Sequence, residues 1–260
     1  MVTVLVLGAV IGVLLGLLGG GGSILALPAL VYGAGLPTAS AIPASLLVVG
    51  LSSAFAVLPR RRAGQVRWGI AGVFGGAGAV AAFGGAAINR LLPPQAVLLG
   101  FALLMVIAGW RMLAGDAPSG GSCALPGGGV NWRGCLPKAI TAGLLVGLLT
   151  GLFGVGGGFL IIPALVLGLG LPMRTAVGTS LVIVAVNSAA GFAAHAGGAD
   201  LDPMIIASFT LAAVAGSLAA ARLAPRVDAV RLGRWFAYFV FAVAAFVAAQ
   251  ALLDPAAVSG

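Results

Sequence analysis

The sequence predicts an all-α polytopic membrane protein built from two homologous halves, and three observations predict it. Of 260 residues, 61% are hydrophobic and only 7% are charged. Soluble globular domains carry about 25% charged residues, so this composition cannot clothe a water-facing surface. The apolar residues fall into long stretches, over 2–33, 38–58, 67–89, 94–113, 137–168, 173–194, 203–224 and 231–253. The second half of the chain also repeats the first at a fixed offset.

Charge and cysteine content narrow the class. Thirteen Lys and Arg stand against five Asp and no Glu, a formal net charge of +8. On a soluble domain that excess would suggest nucleic acid. Here the Arg residues sit at the ends of apolar runs, which is the positive-inside bias of membrane loops, and no nucleic-acid partner is expected. The 43 Gly follow no three-residue period, which excludes a collagen-like chain. Cys123 and Cys135 lie in the one long polar stretch. A pair cannot complete a four-ligand zinc site, so free thiols are expected, with a disulfide only if that stretch faces an oxidising compartment. The N-terminus is apolar from Val2 and lacks the basic start and cleavage site of a signal peptide; it is read as part of the mature fold.

Six of the apolar stretches are close to the ~20 residues that span a bilayer as a helix. Stretches 2–33 and 137–168 are too long for one span and too short for two with a turn. Each is interrupted by glycine, at Gly16 to Ser23 ("GLLGGGGS") and Gly151 to Gly158 ("GLFGVGGG"). Four Gly in a row cost a helix about 0.8–1 kcal/mol each relative to Ala. Two half-helices are expected on either side of each break.

These interrupted stretches carry the repeat. The segment from Gly16 aligns without gaps to the segment from Gly151, pairing Gly21 with Gly156, Gly22 with Gly157, Pro28 with Pro163, Pro37 with Pro172 and Ser45 with Ser180. Phe101 pairs with Phe236 at the same offset. The expected organisation is a first transmembrane repeat over 1–113, a polar linker over 114–136 and a second transmembrane repeat over 137–260.

Charge placement orients the halves. Arg60, Arg61, Arg62 and Arg67 follow the second stretch of the first half, where the second half has His195, Asp200 and Asp202. The next loop reverses the bias, with Arg90 alone against Arg222, Arg226, Arg231 and Arg234. Equivalent loops of opposite bias belong on opposite membrane faces, which requires an odd number of crossings per half. Three spans plus a re-entrant hairpin satisfy this, since bent backbone is tolerated where it is buried in protein or lines a cavity. The linker, with Arg111, Arg133 and Lys138, then lies in the cytoplasm, and both termini lie outside. All four Trp neighbour an Arg on the cytoplasmic side, as interface anchors do. The rival arrangement has eight full spans and parallel halves; the inverted one is preferred.

Transporters of inverted repeats bind substrate near the midplane, at broken helices. Half-helices are expected to begin at Ser23 and Phe159. Their first N–H groups have no intrahelical partner, and the macrodipole adds about half a positive charge. Glycine lets an anion approach such donors closely. The candidate substrate-binding residues are therefore Gly20, Gly21, Gly22 and Ser23 in one half, with Gly156, Gly157 and Gly158 in the other. Glycines around Gly75 to Gly85 are read instead as close-packing positions. Hydroxyls and amides form a second group: Ser45, Ser52 and Ser53 match Ser180, Asn187 and Ser188, with Thr179 beside them. They serve equally as anion ligands or as bonds between helices.

Arg67 and Arg174 are read first as interface anchors, and His195 carries only a weak case for pH gating. Asp202-Pro203 reads as an N-cap followed by a first-turn proline. Enzyme readings fail for want of a metal cluster, a nucleophile motif or acids within spans. No cofactor or metal is expected. A passive anion channel uses the same donors and stays open as an alternative. A purely structural role leaves the duplicated breaks unexplained.

"GLLGGGGSILALPALV", "GLFGVGGGFLIIPALVLGLGLP" and "RTAVGTSL" resemble the duplicated signatures of the sulfite exporter TauE/SafE family, also called the toluene-sulfonate uptake permeases. The resemblance covers essentially the whole chain. It implies a multi-pass carrier of the bacterial cytoplasmic (inner) membrane for sulfite, organosulfonates such as sulfoacetate, or related sulfur oxyanions, some members exporting and others importing. Coupling to a proton or another ion is compatible with it. Thiosulfate-importing relatives are known for cysteines at the central constriction, and this chain has none in any apolar stretch. Pro43 and Ala44 also replace the Gly178 and Thr179 of the second half, so the two half-sites are not equivalent. The expected protein is a secondary transporter moving a small sulfur oxyanion outwards by alternating access.

Overall fold

A computed structural model describes residues 2–33, 35–36, 38–89, 91, 94–114, 132–153, 158–195, 203–223 and 228–253. Among these the chain is all-helical, with no strand. The first half comprises α1 (Val2–Leu18), a 3-10 turn (Gly19–Gly22), α2 (Ser23–Pro28) running into a π-turn (Ala29–Gly33), α3 (Thr38–Arg62), α4 (Trp68–Asn89) and α5 (Pro94–Ala114). The second comprises α6 (Trp132–Phe153), α7 (Gly158–Pro163) with its π-turn (Ala164–Gly168), α8 (Met173–His195), α9 (Pro203–Leu223) and α10 (Ala229–Leu253). The helices and π-turns of the two halves thus follow in the same order; residues 154–157, the counterparts of the 3-10 turn, lie outside the described residues. The repeat extends to turns: Leu36 N–H donates to the Leu30 carbonyl as Leu171 N–H does to that of Leu165. Gly35 and Gly170 supply the positive φ, +70° and +68°, that both turns require.

Small residues set the packing. Gly8, Gly12 and Gly16 of α1 abut Phe209, Ala213 and Ser217 of α9 in that order, so the two helices run parallel. Gly143 and Gly147 of α6 abut Phe74 and Gly78 of α4 likewise. By repeat register these are one contact made twice, each half lending its first helix to the other half's fourth. Glycine every fourth residue leaves a groove without side chains, and the partner backbone occupies it. Within the stretch read as close-packing, Gly78 and Gly85 do meet another backbone, while Gly76 and Gly84 face open space.

The central pair is α3 with α8. Gly50 lies against Ser188, Gly191 against Leu46, and Gly178 against Gln65, just past the end of α3. One helix therefore ascends as its counterpart descends. α5 and α10 pack together at the periphery, where Gly109 lies against the Phe241 ring.

Four helical segments among the described residues are long and apolar enough to cross a bilayer: Pro43–Arg62, Trp68–Gly85, Met173–Phe192 and Pro203–Leu223. Large apolar side chains such as Phe83, Leu103, Leu211 and Phe246 point outward. A water-soluble monomer rarely shows so broad an apolar surface; a lipid-facing one does. Arg61 lies over the Trp68 ring, 5.8 Å from its centroid, and joins an anchor cation to an anchor aromatic. One expectation is corrected here. Cys135 is buried and disulfide-bonded rather than a free thiol; the only other cysteine, Cys123, lies outside the described residues.

Candidate functional site

The first glycine run reverses the chain. Gly19 takes φ +66°, a left-handed conformation that ends α1 after Leu18. Beyond it the chain runs back beside α1: Gly22 lies against Ile11 and Leu15, and Gly33 against Leu7. α2 starts at Ser23, where the sequence places the half-helix. The 3-10 turn Gly19–Gly22 enters it without interruption, because Gly22 (φ −68°, ψ −18°) and Ser23 are both helical. The glycines are therefore a helical turn leading into α2 rather than a loop before it. A first turn carries N–H groups without intrahelical partners, and the preceding residue, Leu18, gives them no side-chain cap.

The two broken stretches meet at this turn. Gly20 and Gly158 touch backbone to backbone, and a β-carbon at either position would overlap the other's main chain. The Ser23 hydroxyl donates to the Gly20 carbonyl at 2.6 Å, leaving its lone pairs beside Gly158. Gly19 adjoins the Ser180 hydroxyl, which donates to the Val177 carbonyl at 2.9 Å. Gly20, Ser23, Gly158 and Ser180 thus form one buried group, with Gly21 and Gly22 in the same turn. Gly156 and Gly157 lie outside the described residues.

The remaining candidates separate from this group. Thr179 is fully buried, and its hydroxyl accepts the Arg67 backbone N–H at 3.1 Å, tying α8 to the loop after α3. Ser45 is half-buried on α3. Ser52 and Asn187 lie further along the central pair, about 10 Å from Ser45 and Ser180 at 1.5 Å rise per residue. Ser52 Oγ, Ser53 Oγ, Asn187 Oδ1 and Ser188 Oγ are buried without a hydrogen-bond partner. By repeat register they are two equivalent pairs. Buried polar groups without partners cost about 1–3 kcal/mol each, so a doubled set of them marks a place kept polar. Ser217 of α9, which the sequence did not single out, donates to the Ser52 carbonyl at 3.3 Å.

Arg60 was also missed. Within a run of arginines it reads as a loop charge that orients the half, yet it is 3% exposed. Its Nη2 donates to the Gly16 carbonyl in the last turns of α1, and its Nε is buried without a partner. A signal was present: the repeat register puts His195, the chain's only histidine, at the same position.

Comparison with known proteins gives the family. The description "Sulfite exporter TauE/SafE" matches residues 4–247. A "Probable membrane transporter protein" of Xylella fastidiosa (strain Temecula1) is 36% identical over 247 residues, covering 92% of each chain. A protein of the same description from strain 9a5c matches to the same extent. The "Probable membrane transporter protein YunE" of Bacillus subtilis (strain 168) is 43% identical over 56 residues, 22% of this chain and 20% of that one. No solved structure matches the chain.

Proposed function

The chain belongs to the sulfite exporter TauE/SafE family of membrane transporters, and from that premise we propose that it exports a small sulfur oxyanion, sulfite or an organosulfonate such as sulfoacetate. The membrane is the bacterial cytoplasmic membrane, and the mechanism is alternating access of two inverted halves. The observation that carries the reading is the contact of Gly20 with Gly158. It brings two broken stretches together inside the helical bundle, beside the first-turn N–H groups that are proposed to receive the anion.

The chemistry suits release as well as binding. A hydrogen bond to a charged group contributes roughly 1.5–3 kcal/mol. Four to six such bonds offset much of an oxyanion's desolvation without trapping it. The donors are backbone, so they need no side-chain ordering on binding. Gly20, Gly21, Gly22, Gly156, Gly157 and Gly158 supply close approach, and Ser23 and Ser180 supply hydroxyls that turn to the anion by releasing their bonds to the Gly20 and Val177 carbonyls. Ser45, Ser52, Thr179 and Asn187 extend the polar path along α3 and α8.

Support for inverted halves comes from the opposite directions of α3 and α8 and from the exchanged contacts of α1 with α9 and α6 with α4. Support for re-entrant hairpins comes from the return of Gly22 and Gly33 along α1. In this mechanism α1 with α9, and α4 with α6, move as units, because their glycine-backbone contacts leave no slack. The α3–α8 seam accommodates the motion.

Thermal unfolding of the purified protein with added sulfite tests the binding part. A ligand that binds only the folded state stabilises it by RT ln(1 + [L]/Kd), about 2.7 kcal/mol at a hundredfold excess over Kd. A concentration-dependent rise in Tm with sulfite, absent with chloride at equal ionic strength, is expected. No rise with any sulfur oxyanion contradicts the substrate assignment.

A further inference from the structure

We infer that Arg60 is a substrate-binding residue, the fixed cation on the cytoplasmic side of the glycine-broken turn, and this rests on the oxyanion-transport reading above. Ionised groups within membrane-spanning segments are rare and pair with something when they occur. Arg60 ends the apolar segment Pro43–Arg62 and is buried to 97%. Its bond to the Gly16 carbonyl fixes the guanidinium one turn before Gly19. That bond is to a neutral acceptor, and among the described residues the charge has no counterion. The Nε, one of five donors on a planar fork, has no partner.

The surroundings connect this cation to the site. The cluster of Ala56, Val57, Val66 and Leu181 packs the last turns of α3 against the residue after Ser180, and Ser180 adjoins Gly19. Arg60 and the Gly19–Gly22 turn therefore lie on one wall. A carbonyl cap for α1 would need only a donor, which a neutral side chain supplies. A desolvated guanidinium is a costly way to obtain it. An oxyanion between the turn's N–H groups and Nε would supply both the missing acceptor and the missing charge. The permanent charge has a directional consequence too. The equivalent position of the second half is His195, which is not permanently charged, so the two routes to the site differ in electrostatics.

Sulfite binding to wild-type, Arg60→Gln and Arg60→Lys proteins, measured by thermal shift together with counterflow KM and maximal rate, tests the inference. The Gln variant is expected to weaken sulfite binding and raise KM 10- to 100-fold. The Lys variant should fall between, because it keeps the charge and loses the fork. Sulfite affinity unchanged in both variants, with only Tm lowered, would assign Arg60 to capping α1 and overturn the inference while leaving the transport reading intact. If the Gln variant does not fold, the Lys variant decides alone: at least threefold weaker binding at near-native Tm supports the role, and unchanged binding overturns it. A wild-type protein indifferent to every sulfur oxyanion removes the transport reading and this one with it.

Discussion

Gly20 and Gly158 lie so close that neither has room for a side chain, because a β-carbon on one would sit inside the backbone of the other. They belong to different halves of the chain and to the two stretches in which a membrane helix is interrupted. The proposed mechanism depends on this contact.

Substitution there should disable transport before it disables folding. Gly20→Val or Gly158→Val is expected to reduce sulfite flux at least tenfold and to destabilise by about 1–3 kcal/mol, the usual cost of overpacking. Gly76→Ala, which lies inside α4 and meets nothing, should be neutral or stabilise by up to about 1 kcal/mol, with normal flux. Flux and Tm of purified variants check both. Normal flux in the Gly20 variant would remove the break from the site.

Exchanged packing makes a separate prediction. Gly12 and Gly147 each face backbone across a helix pair, so Gly12→Leu or Gly147→Leu should lower Tm and folded yield together. Comparable losses at the two positions are expected, since repeat register makes them equivalent contacts.

Buried hydroxyls separate stability from function. Ser53→Ala and Ser188→Ala delete polar atoms that have no partner, so each should leave stability unchanged or raise it by up to about 1 kcal/mol. If these groups line the path, sulfite KM rises severalfold in the same variants. A stability gain without any kinetic change would make them packing residues.

The proposed topology rests on charge and is tested by labelling. In a background with Cys123 and Cys135 replaced by Ser, Gly64→Cys should be labelled from the cytoplasm by an impermeant maleimide, and Asp200→Cys from outside. Labelling of both from one face would contradict inverted halves. The native cysteines give a cross-check on the proposed cytoplasmic linker, because Cys135 is disulfide-bonded and disulfides are bonds of oxidising compartments. Thiol trapping in intact cells reads it: reduced cysteines agree with a cytoplasmic linker, and a bond already present in cells places the linker outside.

Much of the fold was legible because hydrophobic length and glycine interruption act locally. The elements, the breaks and the equivalence of Gly16 with Gly151 follow from the residues alone. Pairing was less legible. Repeat register says that α1 and α6 are equivalent, and says nothing of α1 seeking α9 rather than α4. The glycines at Gly8, Gly12 and Gly16 indicate a close partner without naming it. The start of α2 at Ser23 was legible, whereas the 3-10 turn over Gly19–Gly22 that leads into it escaped, because propensity marks glycine as helix-breaking while a turn after one left-handed residue accommodates it. Arg60 escaped because charge patterning assigns an arginine to a face by its neighbours in sequence. Its burial depends on Gly16, 44 residues away.

The central claim is that the two broken stretches form a carrier's anion site, and counterflow in proteoliposomes tests it most directly. Vesicles loaded with unlabelled sulfite should accumulate labelled sulfite transiently, saturably and faster than unloaded vesicles, with wild-type protein and not with Gly20→Val. Protein-dependent flux without trans-stimulation would indicate a channel. No flux of sulfite or any sulfonate through folded protein would contradict the account.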